Sequence, residues 1–214
     1  MLHKQTGKLI ACIAENLPFM GTDVMQRWIE NPKDLHAALH KALCPSWTAE
    51  FPTWRTLKLG TGLKTAGDFR VALKIAGFDI SERAGVILSK PAFIFPVSGE
   101  ETEVELVIVS VAELGFECDA TRKCIYDRAE KLDLCLCPAE VGPQLCLQYK
   151  DQPKNEMLLI AMEPIYDSAG RLCIFDVERS VGGKRLLSDN RGQPGIVWNA
   201  NHLWVFVRRK QPHP

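Results

Sequence analysis

Among the cysteines, histidines and carboxylates of this 214-residue chain, Cys137, Glu140 and His202 are the candidates for nucleophilic chemistry. Cys137 directly precedes Pro138, and proline is favoured at the first position of a helix. A thiol at the N-cap of such a helix meets unpaired N–H groups and the positive end of the dipole, which lower its pKa and create a nucleophile. Glu140 would lie one turn in, and His202, close to Trp204, is the histidine placed to act as general base. The opposing reading is that Cys137 ends a strand and fills the core, where free cysteine is commonly found.

Other spacings exclude chemistry. The stretch LKLGTGLKT at 57–65 resembles a phosphate loop only superficially. A P-loop needs four residues between its glycines and a lysine directly after the second. Gly60 and Gly62 are too close, and Leu63 separates Gly62 from Lys64. His36 and His40 share a helical face, but Ala37 stands where a zinc protease carries its glutamate. Eight cysteines occur with no C-x-x-C pair, so no zinc knuckle is announced and no metal or cofactor is expected. Glu156 and Glu163 are seven apart, which places them on opposite faces of a strand and makes them a poor acid and base pair.

Binding is better served. Glu140, Gln144 and Gln148 recur every four residues and would form one polar stripe along a helix, with Tyr149 beside it. Arg208 and Arg209 close the chain with positive charge that could touch phosphates without reading sequence.

These groups must be positioned by surrounding elements. Thr65 and Asp68 make a variant capping box opening a helix whose apolar face is Phe69, Ala72, Leu73 and Ala76, and Gly77 ends it. Ser81 caps a second helix that Pro91 stops. The tight joint admits a helix-turn-helix reading, although the second helix offers few polar side chains to base edges. Upstream, two helices are split near Asn31 and Pro32, and the aromatic CPSWTAEFPTW at 44–54 reads as a linker.

In ETEVELVIVSVAELGF, Thr102 and Glu105 match a capping box and Gly115 a C-terminus, which predicts a helix. Further helices are predicted from Thr121 to about Leu132 and after Pro138. EMLLIAMEPI, DSAG and RLCIFDV read as a β-hairpin, and HLWVFVRR as a final strand.

Lysine plus arginine equals aspartate plus glutamate, 26 each, so the whole molecule offers nucleic acid or an acidic membrane no strong field. The balance is +4 over 1–98, −7 over 99–149 and +3 over 150–214. Such an acidic centre suits either attraction between parts of the chain or separate partners. The amino-terminal apolar run is broken by Glu15, Asn16 and Pro18, and no segment approaches a membrane span, so a cytoplasmic protein with reduced cysteines is expected.

LCLCPAEVGPQLCLQYKDQP at 134–153, AELGF at 112–116, AMEPI at 161–165 and WVFVRRK at 204–210 resemble a group of uncharacterised bacterial proteins. The resemblance also takes in LGTGLKT and the AL..AGF.IS pattern after it. It brings no activity, cofactor or substrate, and the group's pattern carries arginine where Cys146 stands. The expected fold is α+β: a helical amino-terminal half, then three helices with a β-hairpin or antiparallel sheet. Segments of 1–45, 46–98 and 99–214 are expected. The expected function is a non-enzymatic binding or regulatory module whose partner is another protein, with no membrane. The alternatives are a thiol-dependent hydrolase or transferase built on Cys137, and a nucleic-acid binder.

Overall fold

In the computed structural model, residues 4–15, 20–35 and 51–209 are described. The chain divides into two units, Met1–Thr48 and Ala49–Pro214. The first contains α1 (Lys4–Glu15) and α2 (Thr22–Glu30). Asn31 ends α2, and a helical turn follows at 32–35, so the expected break at Asn31 and Pro32 is present. His36, His40 and most of the aromatic linker lie outside the described residues.

The second unit is built on a nine-stranded mixed sheet, where the sequence predicts a helical amino-terminal half and then, over 99–214, three helices with a β-hairpin or antiparallel sheet. Its elements begin with β1 (Arg55–Leu59), α3 (Ala66–Ile75), β2 (Phe78–Ile80), α4 (Glu82–Leu88), α5 (Pro91–Ile94) and β3 (Thr102–Ser110). β4 (Ala120–Thr121), α6 (Arg122–Glu130), β5 (Leu134–Cys135), α7 (Val141–Gln148) and β6 (Glu156–Ile160) follow. The unit ends with β7 (Ile165–Tyr166), β8 (Leu172–Arg179), β9 (Arg185–Arg191), β10 (Val197–Trp198) and β11 (Leu203–Arg208).

The strand order is β1-β3-β11-β6-β8-β9-β2, with β5 added to β11 and β7 to β8; β4 and β10 form a separate ribbon. Most pairs are antiparallel, whereas β6 with β11 and β2 with β9 are parallel.

The principal correction falls on 102–110. Thr102 and Glu105 do not cap a helix: the segment is β3, paired with β1 on one side and β11 on the other. Its Val and Ile side chains suit a pleated surface buried on both faces, and Glu105 turns outward to accept from Thr53 Oγ1. Tertiary pairing thus overrides a local capping signal. β1 and β3 also pair across the boundary expected at 98/99.

Several local expectations hold. Thr65 and Asp68 form a reciprocal capping box on α3, Ser81 caps α4, and Thr121 caps α6. Gly77 has φ of +79°, the left-handed conformation that ends α3 without a Cβ penalty. Pro91 occupies the first turn of a new short helix, α5. The joint between α3 and α4 contains β2, which pairs with β9, so the two helices do not form a simple turn-linked hairpin. The DSAG turn joins β7 to β8 as a hairpin, with β6 extending the pairing along β8.

Register shows that both faces of the sheet are covered. Phe175 on β8 lies on the same face of the sheet as Val177, Leu158 and Leu203 and meets α7 at Gly142, where an added Cβ would come within 2.9 Å of its side chain. Phe93 and Phe69 continue this packing edge to face, at centroid distances of 5.9 and 5.3 Å. Trp204 and Phe206 alternate with Val205 and therefore face the other way, against Tyr126 of α6 and Trp198.

Candidate functional site

The polar stripe of α7 lies on one face, as its spacing requires, and is turned inward. Glu140 is buried at the start of α7 and accepts from Gly60 N at 2.9 Å, Ser98 N at 3.0 Å and Gln144 Nε2 at 3.0 Å. Gln144 Nε2 also donates to Thr61 Oγ1 at 2.7 Å. Gln148 makes a two-point pair with β1, accepting from Lys58 N at 3.0 Å and donating to Lys58 O at 2.8 Å. β1 is the terminal strand, so Gln148 satisfies backbone groups that would otherwise be a free sheet edge. Gly60 is required here: its φ is +68°, and a Cβ would approach Glu100 O to 2.0 Å. The LGTG loop therefore holds a carboxylate of its own chain through the Gly60 backbone N–H, and the stripe fastens that loop to α7.

Tyr149 is also built into the fold. Trp54 meets its ring edge-on at 4.9 Å, the Arg55 guanidinium lies over it at 4.6 Å, and its hydroxyl donates to Glu156 Oε1 at 3.5 Å. Burial, aided by the Glu156 charge, pushes the phenol up to about 12. Burial likewise raises the Glu156 carboxyl. Arg208 donates to Phe51 O and pairs with Glu105 at 3.5 Å, while Arg209 reaches Asp133 at 3.4 Å.

Cys137 and His202 are placed apart. The Cys137 thiol is buried and donates to Val205 O at 3.3 Å, and burial drives it far above the ordinary thiol range. α7 begins at Val141 with Glu140 as its N-cap, so Cys137 precedes the helix by too many residues to feel its terminus. His202 accepts from Asn199 N at 3.1 Å through Nδ1 and lies edge-on to Trp198. It precedes Val205 by three residues, on the order of 10 Å along an extended strand. The core-filling reading of Cys137 describes these contacts. Cys146 is buried in the same way, its thiol pushed upward by burial.

Two concave regions involve residues that the motifs do not mark. The larger, of about 720 Å³, is an open groove between α3 and α4, with Arg70, Lys74 and Lys90 in its lining. Arg70 is held by Gly85 O and Ser89 Oγ. Asp79, also in the lining, is already paired with Lys184 at 3.0 Å. Val71 and Ile75 are 60% and 82% exposed on α3, each one residue beyond a groove cation. The i,i+4 spacing of Arg70 with Lys74 and of Val71 with Ile75 is a sequence signal that could have revealed these two adjoining rows.

The second, of about 440 Å³, lies where β8 begins and β9 ends, and gathers Arg83, Arg171 and Arg191. Arg83 Nε meets Asp189 Oδ2 at 2.9 Å, and Arg171 meets Asp167 Oδ2 at 2.7 Å; the two carboxylate side chains are only 4% and 2% exposed. Ser81 Oγ donates to Asp189 Oδ1 at 2.8 Å. Backbone N–H groups and Arg171 hold the Asp167 carboxyl below its usual range. No sequence spacing links these three arginines, because the β8–β9 pairing and the docking of α4 bring them together.

Among the described residues, no three His, Cys, Asp or Glu side chains gather as metal ligands, and no helix is long and apolar enough to cross a membrane. No known protein family, curated protein or solved structure matches this chain.

Proposed function

We propose that this protein is a non-enzymatic binding module whose groove between α3 and α4 holds an acidic segment of another protein. The observation that carries the reading is the pair of adjoining rows on α3, Arg70 with Lys74 and Val71 with Ile75. Cations beside exposed aliphatic side chains complement a peptide that alternates carboxylates with apolar anchors. A nucleic-acid backbone would use the cations and leave the aliphatic row unexplained. The internal use of Glu140, Gln144, Gln148, Tyr149 and Cys137 supports a non-catalytic role for the residues that first suggest chemistry.

A photoreactive amino acid at position 71, activated in lysate of the source organism, tests this. The expected result is a discrete protein adduct mapping to an acidic segment, reduced at least about ten-fold by Lys74→Glu, since like charge at a contact replaces attraction with repulsion. A nucleic-acid adduct, an adduct on a basic segment, no adduct, or one indifferent to Lys74→Glu would refute it.

A further inference from the structure

We infer that a third cavity, of about 470 Å³ and bordered by α6, β5, β11 and the segment after β6, is a binding site for a small zwitterion with an apolar body, a free aliphatic amino acid or a short peptide. Its volume falls in the range of small-molecule sites, about 300–1,000 Å³. It shares no lining residue with the groove between α3 and α4, so the two sites are separate. Of the cations in its wall, Lys123 is spent on Asp127 at 2.6 Å and Arg209 on Asp133 at 3.4 Å. Among the described residues, Arg122 and Glu163 make no ion pair, with each other or with a third group, although both line the cavity.

One aromatic ring sets the spacing of these two charges. The Arg122 guanidinium lies over Tyr126 at 4.6 Å, and the Tyr126 hydroxyl donates at 3.0 Å to the carbonyl of Met162, the residue before Glu163. Edge-to-face contacts with Trp204 and Phe206, at 5.7 and 6.2 Å, hold the ring in place. Arg122 and Glu163 therefore flank a fixed, partly exposed apolar surface, which Leu136 extends, without closing on each other. Arg122 also stands in the first turn of α6, which contains no acidic residue, so the helix dipole adds to its positive charge. A ligand carboxylate is favoured there by both, and its two oxygens match the guanidinium fork. An ammonium on the same ligand then answers Glu163, and an aliphatic side chain covers Tyr126 and Leu136. Glu130 is the other carboxylate in the wall without an ion pair among the described residues, but it lies eight residues along α6 from Arg122, about 12 Å by helical rise, too far for two charges carried on one carbon.

Calorimetric titration of the full chain at neutral pH tests this with five probes. Leucine and leucyl-leucine carry both charges and an apolar body; 4-methylpentanoate lacks the ammonium, 3-methylbutylamine lacks the carboxylate, and glycine lacks the apolar body. Saturable one-to-one binding is expected for leucine or leucyl-leucine, at least about ten-fold tighter than for each deficient probe, as loss of one charge-assisted hydrogen bond or of one buried aliphatic side chain implies. Which zwitterion binds more tightly separates a free amino acid from a peptide. Arg122→Gln should remove the advantage over 3-methylbutylamine, and Glu163→Gln the advantage over 4-methylpentanoate, whereas a merely loosened cavity would lose affinity for every probe alike. Near-ultraviolet circular dichroism verifies that both variants are folded. Absence of saturable binding below about 10 mM, equal affinity for a zwitterion and a deficient probe, or an unchanged preference in either folded variant would overturn the inference.

Discussion

Replacing Glu140 tests whether the α7 stripe is what holds the LGTG loop. Its carboxylate accepts from Gly60 N and Ser98 N, and from Gln144 Nε2. Hydrogen bonds to a charged acceptor contribute about 1.5–3 kcal/mol each and are not additive, so Glu140→Ala should cost roughly 3–5 kcal/mol. Glu140→Gln keeps one carbonyl oxygen but places an NH₂ group where either Ser98 N or Gly60 N donates, which should cost about 2–3 kcal/mol through one unpaired donor. Urea unfolding followed by near-ultraviolet dichroism reports the second unit, because Trp198 and Trp204 are buried there in edge-to-face contact at 5.2 Å. A double-mutant cycle with Gln144→Ala should show coupling of about 0.5–3 kcal/mol, as expected for members of one network. If Glu140→Ala cost less than about 1 kcal/mol, or Glu140→Gln matched the parent protein, the assignment of the stripe as a structural clasp would fall.

Asp176 and the thiols give two further predictions. Asp176 is fully buried, and burial with the neighbouring Glu178 charge raises its pKa well above 3.8. The folded state therefore keeps a proton that the unfolded state releases, so this group's favourable contribution is complete below the unfolded pKa and is lost as pH rises towards the folded one. Asp176→Asn should gain on the parent by up to about 1.4 kcal/mol per pH unit above about pH 4, levelling off at the folded pKa; a stability gap independent of pH would contradict this. For the thiols, brief alkylation at neutral pH with peptide mass mapping should modify exposed Cys118 and Cys124 and leave Cys137 and Cys146 untouched until denaturant is added. Modification of Cys137 ahead of the exposed thiols would restore the case for a nucleophile.

At several helix ends, where a signal and its partner lie within one turn, the sequence decided the local chemistry. Thr65 with Asp68, Ser81, Thr121 and Gly77 set helix boundaries through backbone bonds that need nothing distant. The spacing of Glu140, Gln144 and Gln148 likewise fixed a shared face. What that face meets was not legible: residues 58–61 arrive beside α7 only because β1 pairs with β3 at the sheet edge. Thr102 and Glu105 satisfy a helix-start pattern, yet 102–110 is a strand, because pairing on both sides and burial of its branched side chains outweigh one cap. Arg83, Arg171 and Arg191 show the same limit for the cavity. Their grouping depends on cross-strand register and on where α4 docks, and these are set by the packing of the whole sheet rather than by any neighbouring residue.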